Sequence, residues 1–300
     1  MSLLTRMIVF CIVLCGVISC HHLWHIGDSD LVLSYALDYT RTNKAVTSRL
    51  CRDGRNATVL YGVFSTAEKL LFRDATRQQV QCHLNNKVHS TVFVVGAPRT
   101  EREHTILQQE AAVYGDIFTL SCPENMNEGK TYTYFKEALE HFPCFDFYAK
   151  VDDDTAFVPD KLSSLVQSVS RSTPAIIGRY EAFYHLQDPW FVIAAYLVHG
   201  LRDMSWLWHI PKYTAGCLYI LNAVAVKRLV ALHPTQVYGP EDMRTTYFMQ
   251  IIRAEVVNVY SAFHNAQYEI TAPITNASLA VHECKTIESL LNAFASLCRI

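Results

Sequence analysis

The chain has few charged residues and no excess of positive charge. Only 18% of its 300 residues are charged, and the formal net charge is −2. The sequence has no run of lysine and arginine, no low-complexity tract and no fixed-period repeat. Proteins that bind nucleic acid need a basic surface to meet the phosphates, so we expect no nucleic-acid partner. Half of the residues are hydrophobic, which suits a globular chain with one sizeable core or two small ones.

The patterns of two common metal sites are also missing. Beyond residue 26, no two cysteines stand at the close spacing of a zinc-ligand pair. An EF-hand loop that begins at Asp152 would need a side-chain ligand in place of Ala156 and a glycine in place of Phe157. Of the ten cysteines, three lie before residue 26, and the other seven are an odd number. At least one of these is therefore free or pairs between chains, and the connectivity does not follow from the sequence.

Three consecutive carboxylates, Asp152–Asp154, stand where the apolar run Phe145–Val151 ends. That run predicts a short buried strand. Like charges about 4 Å apart repel by ~1 kcal/mol in water and by ~4 kcal/mol at an effective dielectric near 20, and only Lys150 is close in sequence. Mg²⁺ or Mn²⁺, held by carboxylates together with substrate phosphates, would explain the cluster. A solvated acidic turn is the alternative.

The order of apolar runs predicts an α/β fold with a mostly parallel central sheet and helices on both faces. In such sheets ligands bind beyond the carboxyl ends of the strands, which is where the aspartates stand. We expect Asp160 or a neighbour to cap the helix that begins at Pro159, and Asn222 to cap a later one. The predicted strands are 58–64, 91–95, 116–120, 145–151 and 175–180, with a further one ending at 221, and the predicted helices are 67–80, 101–114, 128–141, 159–168, 222–233 and a last one ending at 253.

The N-terminus predicts a membrane-targeting segment. Met7–Ser19 contains no charge, Arg6 precedes it, and apolar character continues to Ile26. We expect an uncleaved signal anchor over residues 1–26, a short stem over 27–55 and a luminal catalytic domain over 56–300. A cleaved signal peptide and a buried N-terminal helix are the alternatives. Glycosylation sequons at Asn56 and Asn276 support a luminal position.

Several motifs, in order, resemble the signatures of the inverting β1,3-glycosyltransferases, which include β1,3-galactosyltransferases, β1,3-N-acetylglucosaminyltransferases and Fringe. The resemblance runs from about Thr58 to Leu291. It departs from the family where Cys217 replaces a glycine, where Val80 stands near the place of a tryptophan, and across 183–208, which match no family pattern. The motifs are Arg73–Arg77, Val92–Gly96, Glu110, Tyr114–Ile117, Lys136, Lys150–Val158, Tyr213–Leu221, Gly239–Met243 and Val281–Thr286.

The resemblance implies a GT-A-like nucleotide-sugar-binding fold and a Mn²⁺-dependent transferase. The donor would be a UDP-sugar, with galactose or N-acetylglucosamine favoured, and the acceptor a glycan on a glycoprotein or glycolipid. Transfer would form a β1,3 linkage with inversion. The implied location is the Golgi membrane, as a single-pass type II protein, with the endoplasmic reticulum or secretion as alternatives.

The resemblance also implies which residues hold the metal. Asp154 would be the principal ligand, and Asp152 a second one, acting directly or through water and the ribose. His282 would ligate from the far side of the site, with His264 in reserve. Asp153 would support the nucleotide site rather than bind the ion.

Two acids and two arginines complete the implied site. Asp242 would be the general base that accepts the proton of the acceptor hydroxyl, with Glu241 as the adjacent alternative or as a helix cap. Arg73 and Arg77 would lie near the uridine diphosphate, unless they form a solvated helix face.

Two functions from other classes compete with this one. A protein of the same fold that binds glycans or nucleotides without catalysis would have lost acids that are intact here. A metal-dependent phosphohydrolase would need a second cluster of metal ligands, and the sequence shows none.

Overall fold

The computed structural model describes residues 42–51, 57–82, 89–182, 212–234, 240–266 and 274–298. The strands are β1 Ala57–Phe64, β2 His89–Ala97, β3 Ile117–Pro123, β4 Phe145–Asp152, β5 Ala156–Phe157, β6 Ala175–Ala182, β7 Lys212–Asn222, β8 Glu255–Asn258, β9 Phe263–Asn265 and β10 Ala280–His282. The helices are α1 (residues 42–51), α2 Leu70–Cys82, α3 Glu101–Tyr114, α4 Lys130–His141, α5 Pro159–Val166, α6 Ala223–Ala231, α7 Glu241–Ile251 and α8 Ile287–Cys298.

The central sheet has the strand order β3-β2-β1-β4-β7-β6-β8. Strands β3, β2, β1 and β4 run parallel to one another, and β6 runs parallel to β8, whereas β7 runs antiparallel to its neighbours β4 and β6. The prediction of an α/β fold with a mostly parallel sheet is therefore confirmed. The carboxyl ends of β1, β2, β3, β4 and β6 meet at one edge of the sheet, which we call the ligand edge.

Helices cover both faces of this sheet, which is why its central strands are apolar on both sides. On one face Tyr61 and Phe147 pack in a cluster that includes Leu162 of α5. On the other face Leu60 and Tyr148 pack in a cluster with residues from α4, α6 and α7. The parallel pairing of β4 with β1 places its terminal residue, Asp152, opposite Phe64 at the ligand edge.

Local capping sets the bounds of α3, which match the prediction. Thr100 accepts from the backbone of Glu103, whose side chain returns the bond, and Gly115 ends the helix at φ 61°. The prediction that Asp160 or a neighbour caps α5 is wrong. Val158 is the cap, and its apolar side chain can accept no hydrogen bond; Pro159 at the first position removes one N–H that would otherwise need a partner.

Helix α1 falls within the stretch expected to be a stem. The amide of Asn43 bonds the backbone of Thr119, donating at 2.9 Å and accepting at 3.3 Å, and so covers the free edge of β3. A disulfide joins Cys51 to Cys144, just before β4. Of the other described cysteines, Cys122, Cys217 and Cys284 are free. Residues 42–51 are thus bound to the sheet.

Several predictions lie outside the described residues, namely the anchor over 1–26, the sequon at Asn56 and the aromatic stretch over 183–208. Within the described part of the chain, every helix is too short or too polar to cross a bilayer.

A second sheet of three short strands lies next to the end of β4. Strand β10 pairs antiparallel with β5 and parallel with β9. Its connection to the aspartates is direct, because Cys284 donates its backbone N–H to the carbonyl of Asp154 at 2.9 Å. The small sheet brings the C-terminal part of the chain to the ligand edge.

Candidate functional site

Three of the predicted metal ligands lie together at the ligand edge. Asp152, Asp154 and His282 each offer a ligand atom, and these atoms lie within 4.8 Å of one another. Asp152 ends β4, Asp154 lies in the following turn, and His282 ends β10. The turn directs Asp153 elsewhere, to Lys69, whose Nζ lies 2.7 Å from its Oδ1.

The residues present fit a divalent cation. Oδ1 of Asp154 is buried and accepts no hydrogen bond from the described residues, although Nδ1 of His282 lies 3.2 Å away. Burial would raise the pKa of Asp154, but contacts with His282 and Lys285 hold that pKa well below its usual value. The Asp154 carboxylate is therefore ionised at neutral pH. Two carboxylates and an imidazole form a donor set compatible with Mn²⁺.

A buried lysine neutralises the first aspartate. Nζ of Lys150 lies 2.6 Å from Oδ1 of Asp152 and 2.8 Å from Oε1 of Glu241, and it also donates to the carbonyl of Gly216. Burial alone would lower the pKa of Lys150, but the two carboxylates raise it above its usual value. Lys150 is therefore a permanent cation that links β4, β7 and α7.

Glu241 is fully occupied by protein partners. Besides Lys150, its carboxylate accepts from the hydroxyls of Tyr219 at 2.9 Å and Thr131 at 3.1 Å. Both of its oxygens are thus held. Its side chain fixes the first turn of α7 against the sheet.

Asp242, the next residue, has a free oxygen. Its Oδ1 accepts from the backbone of Met243 at 2.8 Å, whereas Oδ2 accepts no hydrogen bond from any described residue. Burial and the neighbouring charge of Glu241 raise the pKa of Asp242 to about 7. A carboxylate with one free oxygen and that pKa suits a general base at neutral pH.

Gly216 makes room for both acids. A Cβ at this position would lie 2.8 Å from Oε1 of Glu241 and 3.3 Å from Oδ2 of Asp242. The adjacent Cys217 stands where the family pattern has a glycine. Its side chain is buried in a core cluster, and burial raises the pKa of the thiol to about 12, so Cys217 is a neutral core residue here.

Arg73 is wholly buried. Its guanidinium donates to Glu110 at 2.6 and 2.8 Å, to the hydroxyl of Ser65 and to the carbonyls of Thr66 and Ala67. It therefore holds the loop that follows β1 at the ligand edge.

Arg77 is buried too. It bonds Glu110, Asp116 and Asp74, and it lies 3.9 Å from the ring centre of Tyr114. The alternative of a solvated helix face is wrong for both arginines, because each is buried and bonded to carboxylates. Contact of either arginine with a nucleotide stays a prediction.

The reserve ligand His264 lies apart from the metal cluster. It is buried, and its Nε2 lies 2.7 Å from the hydroxyl of Ser278. Burial, with a smaller effect from Arg179, lowers its pKa.

A comparison with known protein families identifies the family of this chain. The sequence model of the galactosyltransferase family matches residues 73–259, which is more than half of the 300 residues. The chain belongs to the galactosyltransferase family. This membership confirms the resemblance read from the motifs.

Curated relatives of this galactosyltransferase-family chain are distant. It is 31% identical over 133 residues to the β-1,3-galactosyltransferase pvg3 of Schizosaccharomyces pombe, covering 43% of this chain and 35% of that protein. It is 26% identical over 176 residues to the probable β-1,3-galactosyltransferase 13 of Arabidopsis thaliana, covering 56% and 49%. It is 22% identical over 220 residues to the β-1,3-galactosyltransferase bre-2 of Caenorhabditis elegans, covering 67% and 58%. The matched part of the chain thus covers between about a third and three fifths of the length of these relatives.

Solved structures similar to this family member include the galactosyltransferase LgtC, with a TM-score of 0.46, 13% identity and coverage of 81% of this chain and 95% of that one. The bifunctional glycosyltransferase WbbM has a TM-score of 0.41 and 12% identity, with coverage of 80% and 44%. TM-scores and identities this low carry no argument about the fold, which rests on the sheet described above.

Sequence reasoning missed several charged residues around the site. Lys136, the lysine named from the family pattern, is exposed on α4, whereas the buried lysine of that helix is Lys130. Its Nζ donates to Glu124 at 2.6 Å and to the carbonyl of Ser65 at 2.8 Å. No local signal marks Lys130, but Lys285 lies within a quoted motif, three residues after His282.

A cavity of about 160 Å³ opens at the carboxyl ends of β1, β2 and β3. One of its polar lining residues is Glu124, whose Oε2 accepts from the backbone of Gly96 at 2.6 Å. The loop held by Arg73 also lines the cavity, through residues 66–68. The lining residues are 66–68, 96–99, Glu103, Leu107 and Glu124.

Proposed function

We propose that the chain is an inverting β1,3-glycosyltransferase that moves galactose or N-acetylglucosamine from a UDP-sugar to a hydroxyl of an acceptor glycan. The observation that supports this most is the pairing of two features at the ligand edge. One is the cation-binding cluster of Asp152, Asp154 and His282. The other is Asp242, with a free oxygen and a pKa of about 7.

In this proposal Asp154, Asp152 and His282 hold Mn²⁺. When bound, the ion neutralises the charge that develops on the departing diphosphate. Asp153 is held by Lys69 and supports the turn from the side of the nucleotide. Carboxylate and imidazole donors also admit other divalent ions, so Mn²⁺ is the preferred member of a class.

Asp242 accepts the proton of the acceptor hydroxyl at Oδ2. A well-placed general base contributes about 10²- to 10⁴-fold to the rate. Glu241 is not that base, because Lys150, Tyr219 and Thr131 occupy its oxygens. Its role is to fix α7 and so to aim Asp242.

The nucleoside of the donor fits the cavity beside β1 and β2. Thr66 and the backbone of residues 96–99 line this cavity, and Glu124 holds its wall by accepting from Gly96 and Lys130. Arg73 and Arg77 shape this cavity through the loop after β1 and through α2. A phosphohydrolase is less well supported, since the described residues form one such cluster of metal ligands rather than two.

We propose a luminal location behind an N-terminal anchor, with the Golgi membrane preferred. Two described features support an oxidising compartment with glycosylation. They are the Cys51–Cys144 disulfide and the exposed Asn276 of the second sequon.

The full chain in detergent, with Mn²⁺ and a panel of UDP-sugars, tests the activity. We expect one donor to release UDP much faster when an acceptor sugar is present. Binding of UDP without turnover across donors and acceptors would instead favour the binding protein that has lost catalysis.

Two substitutions separate the proposed roles. Asp154→Ala should abolish metal-dependent UDP binding, because it removes the principal ligand. Asp242→Asn should retain that binding and lose turnover by about 10²-fold or more, as expected for a general base. Asp146→Asn is the matched control, since Asp146 lies at the far end of β4 with a side chain 41% exposed. A fully active Asp242→Asn would refute the assignment of the base.

A further inference from the structure

Each carboxylate of the metal cluster has a lysine partner, and the two lysines differ. Lys150, on Asp152, is buried and bonded on three sides. Lys285, on Asp154, has a side chain that is 55% exposed, and its Nζ lies 2.5 Å from Oδ2 of Asp154. Among the described residues, Asp154 is its one side-chain partner. The second ammonium is therefore held by a single contact and is free to leave.

A sharp backbone turn at Glu283 places Lys285 beside the metal cluster. Glu283 has φ 62°, a conformation that non-glycine residues seldom adopt. Around it, the N–H of Lys285 bonds the carbonyl of Glu283 at 2.9 Å, and the N–H of Cys284 bonds the carbonyl of Asp154 at 2.9 Å. This sharp turn after β10 brings Lys285 to the same carboxylate that His282 faces. The base of the side chain is fixed while its end is solvated.

We propose that Lys285 is an internal cation that exchanges with the metal. Without metal, its ammonium balances Asp154 and occupies Oδ2, leaving Oδ1 without a hydrogen bond from the described residues. When a divalent ion binds, the ammonium leaves Asp154, because two cations on one carboxylate repel. Its long solvated side chain then contacts the diphosphate of the donor, whose negatively charged oxygens lie next to the ion. This inference rests on the proposed function.

The exchange predicts opposite effects on two ligands. In Lys285→Met, nucleotide-free protein should bind Mn²⁺ more tightly, on the order of tenfold, since the ion no longer displaces an ammonium. At saturating Mn²⁺ the same variant should bind UDP more weakly, also on the order of tenfold, since a charge-assisted contact is lost. A lysine that only stabilised the fold would not change the two affinities in opposite directions.

Titration calorimetry on the full chain measures both affinities, with MnCl₂ alone and then UDP at saturating Mn²⁺. Lys69→Met is the matched control, because Lys69 is 44% exposed and lies 2.7 Å from Asp153, which is outside the cluster. We expect its Mn²⁺ affinity to change far less. Lys285→Arg keeps the charge and should bind Mn²⁺ as the parent does.

An unchanged or weaker Mn²⁺ affinity in Lys285→Met would overturn the exchange, and an unchanged UDP affinity would overturn the contact with the diphosphate. Either failure is distinct from failure of the proposed function. A parent protein that turns over a UDP-sugar while Lys285→Met binds both ligands normally would refute this inference alone.

Discussion

At the scale of single residues, two adjacent acids differ because their partners differ. Glu241 is held by Lys150, Tyr219 and Thr131, whereas one oxygen of Asp242 is free. The sequence shows only a Glu-Asp pair at the start of a helix, where the helix dipole stabilises either negative charge. The protein partners, which come from β4, α4 and β7, decide which acid remains available for a proton.

The raised pKa of Asp242 makes a prediction about stability. In the folded protein this pKa is about 7, whereas an unfolded aspartate titrates near 3.9. Below about pH 4 the carboxyl is protonated in both states, so it contributes no pH dependence. As the pH rises towards 7, the unfolded state loses the proton first, and the wild-type protein loses stability. Asp242→Asn does not titrate, so its advantage should grow between about pH 4 and pH 7 and then stay constant.

Urea unfolding of metal-free protein at several pH values measures this advantage. Asp146→Asn, with an exposed carboxylate, should show no comparable trend. A difference between Asp242→Asn and wild type that is equal at pH 5 and pH 8 would mean that the pKa of Asp242 is not raised.

At the scale of elements, α1 is bound to the central sheet although it lies before residue 56. Asn43 covers the edge of β3, and an uncovered strand edge would invite pairing with other chains. The disulfide Cys51–Cys144 spans 93 residues. We propose that the catalytic domain includes residues 42–51 and that the stem is shorter than expected.

The disulfide gives this proposal a test. Cys51→Ser should destabilise the protein by about 2–5 kcal/mol, as loss of a native disulfide commonly does. For a domain of this size that lowers Tm by roughly 5–15 °C. Cys122→Ser, at a free and half-buried cysteine, should change Tm much less. Thermal melts of the two variants decide the matter, and a Cys51→Ser protein that melts like the wild type would remove α1 from the stable domain.

Elements were predictable where their signals are local. Helix α3 matches its predicted bounds because Thr100 and Gly115 cap it from adjacent positions. Strands β5, β9 and β10 were missed, since each has two or three residues. So short a strand has no periodicity of its own and exists only through its pairing partners.

At the scale of the whole molecule, the site joins distant parts of the chain. Asp154 and His282 are separated by more than a hundred residues, so the metal cluster exists only in the folded state. Ligands that bind this state alone stabilise it by mass action, by about 2.7 kcal/mol at a concentration 100 times Kd. UDP with Mn²⁺ should therefore raise Tm by roughly 5–10 °C.

Differential scanning fluorimetry measures that shift. Excess EDTA should abolish it, and Asp154→Ala should show none. An equal shift with UDP in EDTA would show that nucleotide binding needs no metal.

The sequence by itself determined the α/β order, the end of β4 at three carboxylates and the family, because these depend on periodicity and on ordered local motifs. Through the resemblance, it also predicted Asp152, Asp154 and His282 as the metal ligands. Only the tertiary structure decided that Asp153 turns to Lys69, that Arg73 and Arg77 are enclosed, that Glu241 is occupied and that Lys285 meets Asp154. The physical reason is that burial and charge pairing depend on partners tens to more than a hundred residues away, which no local pattern specifies.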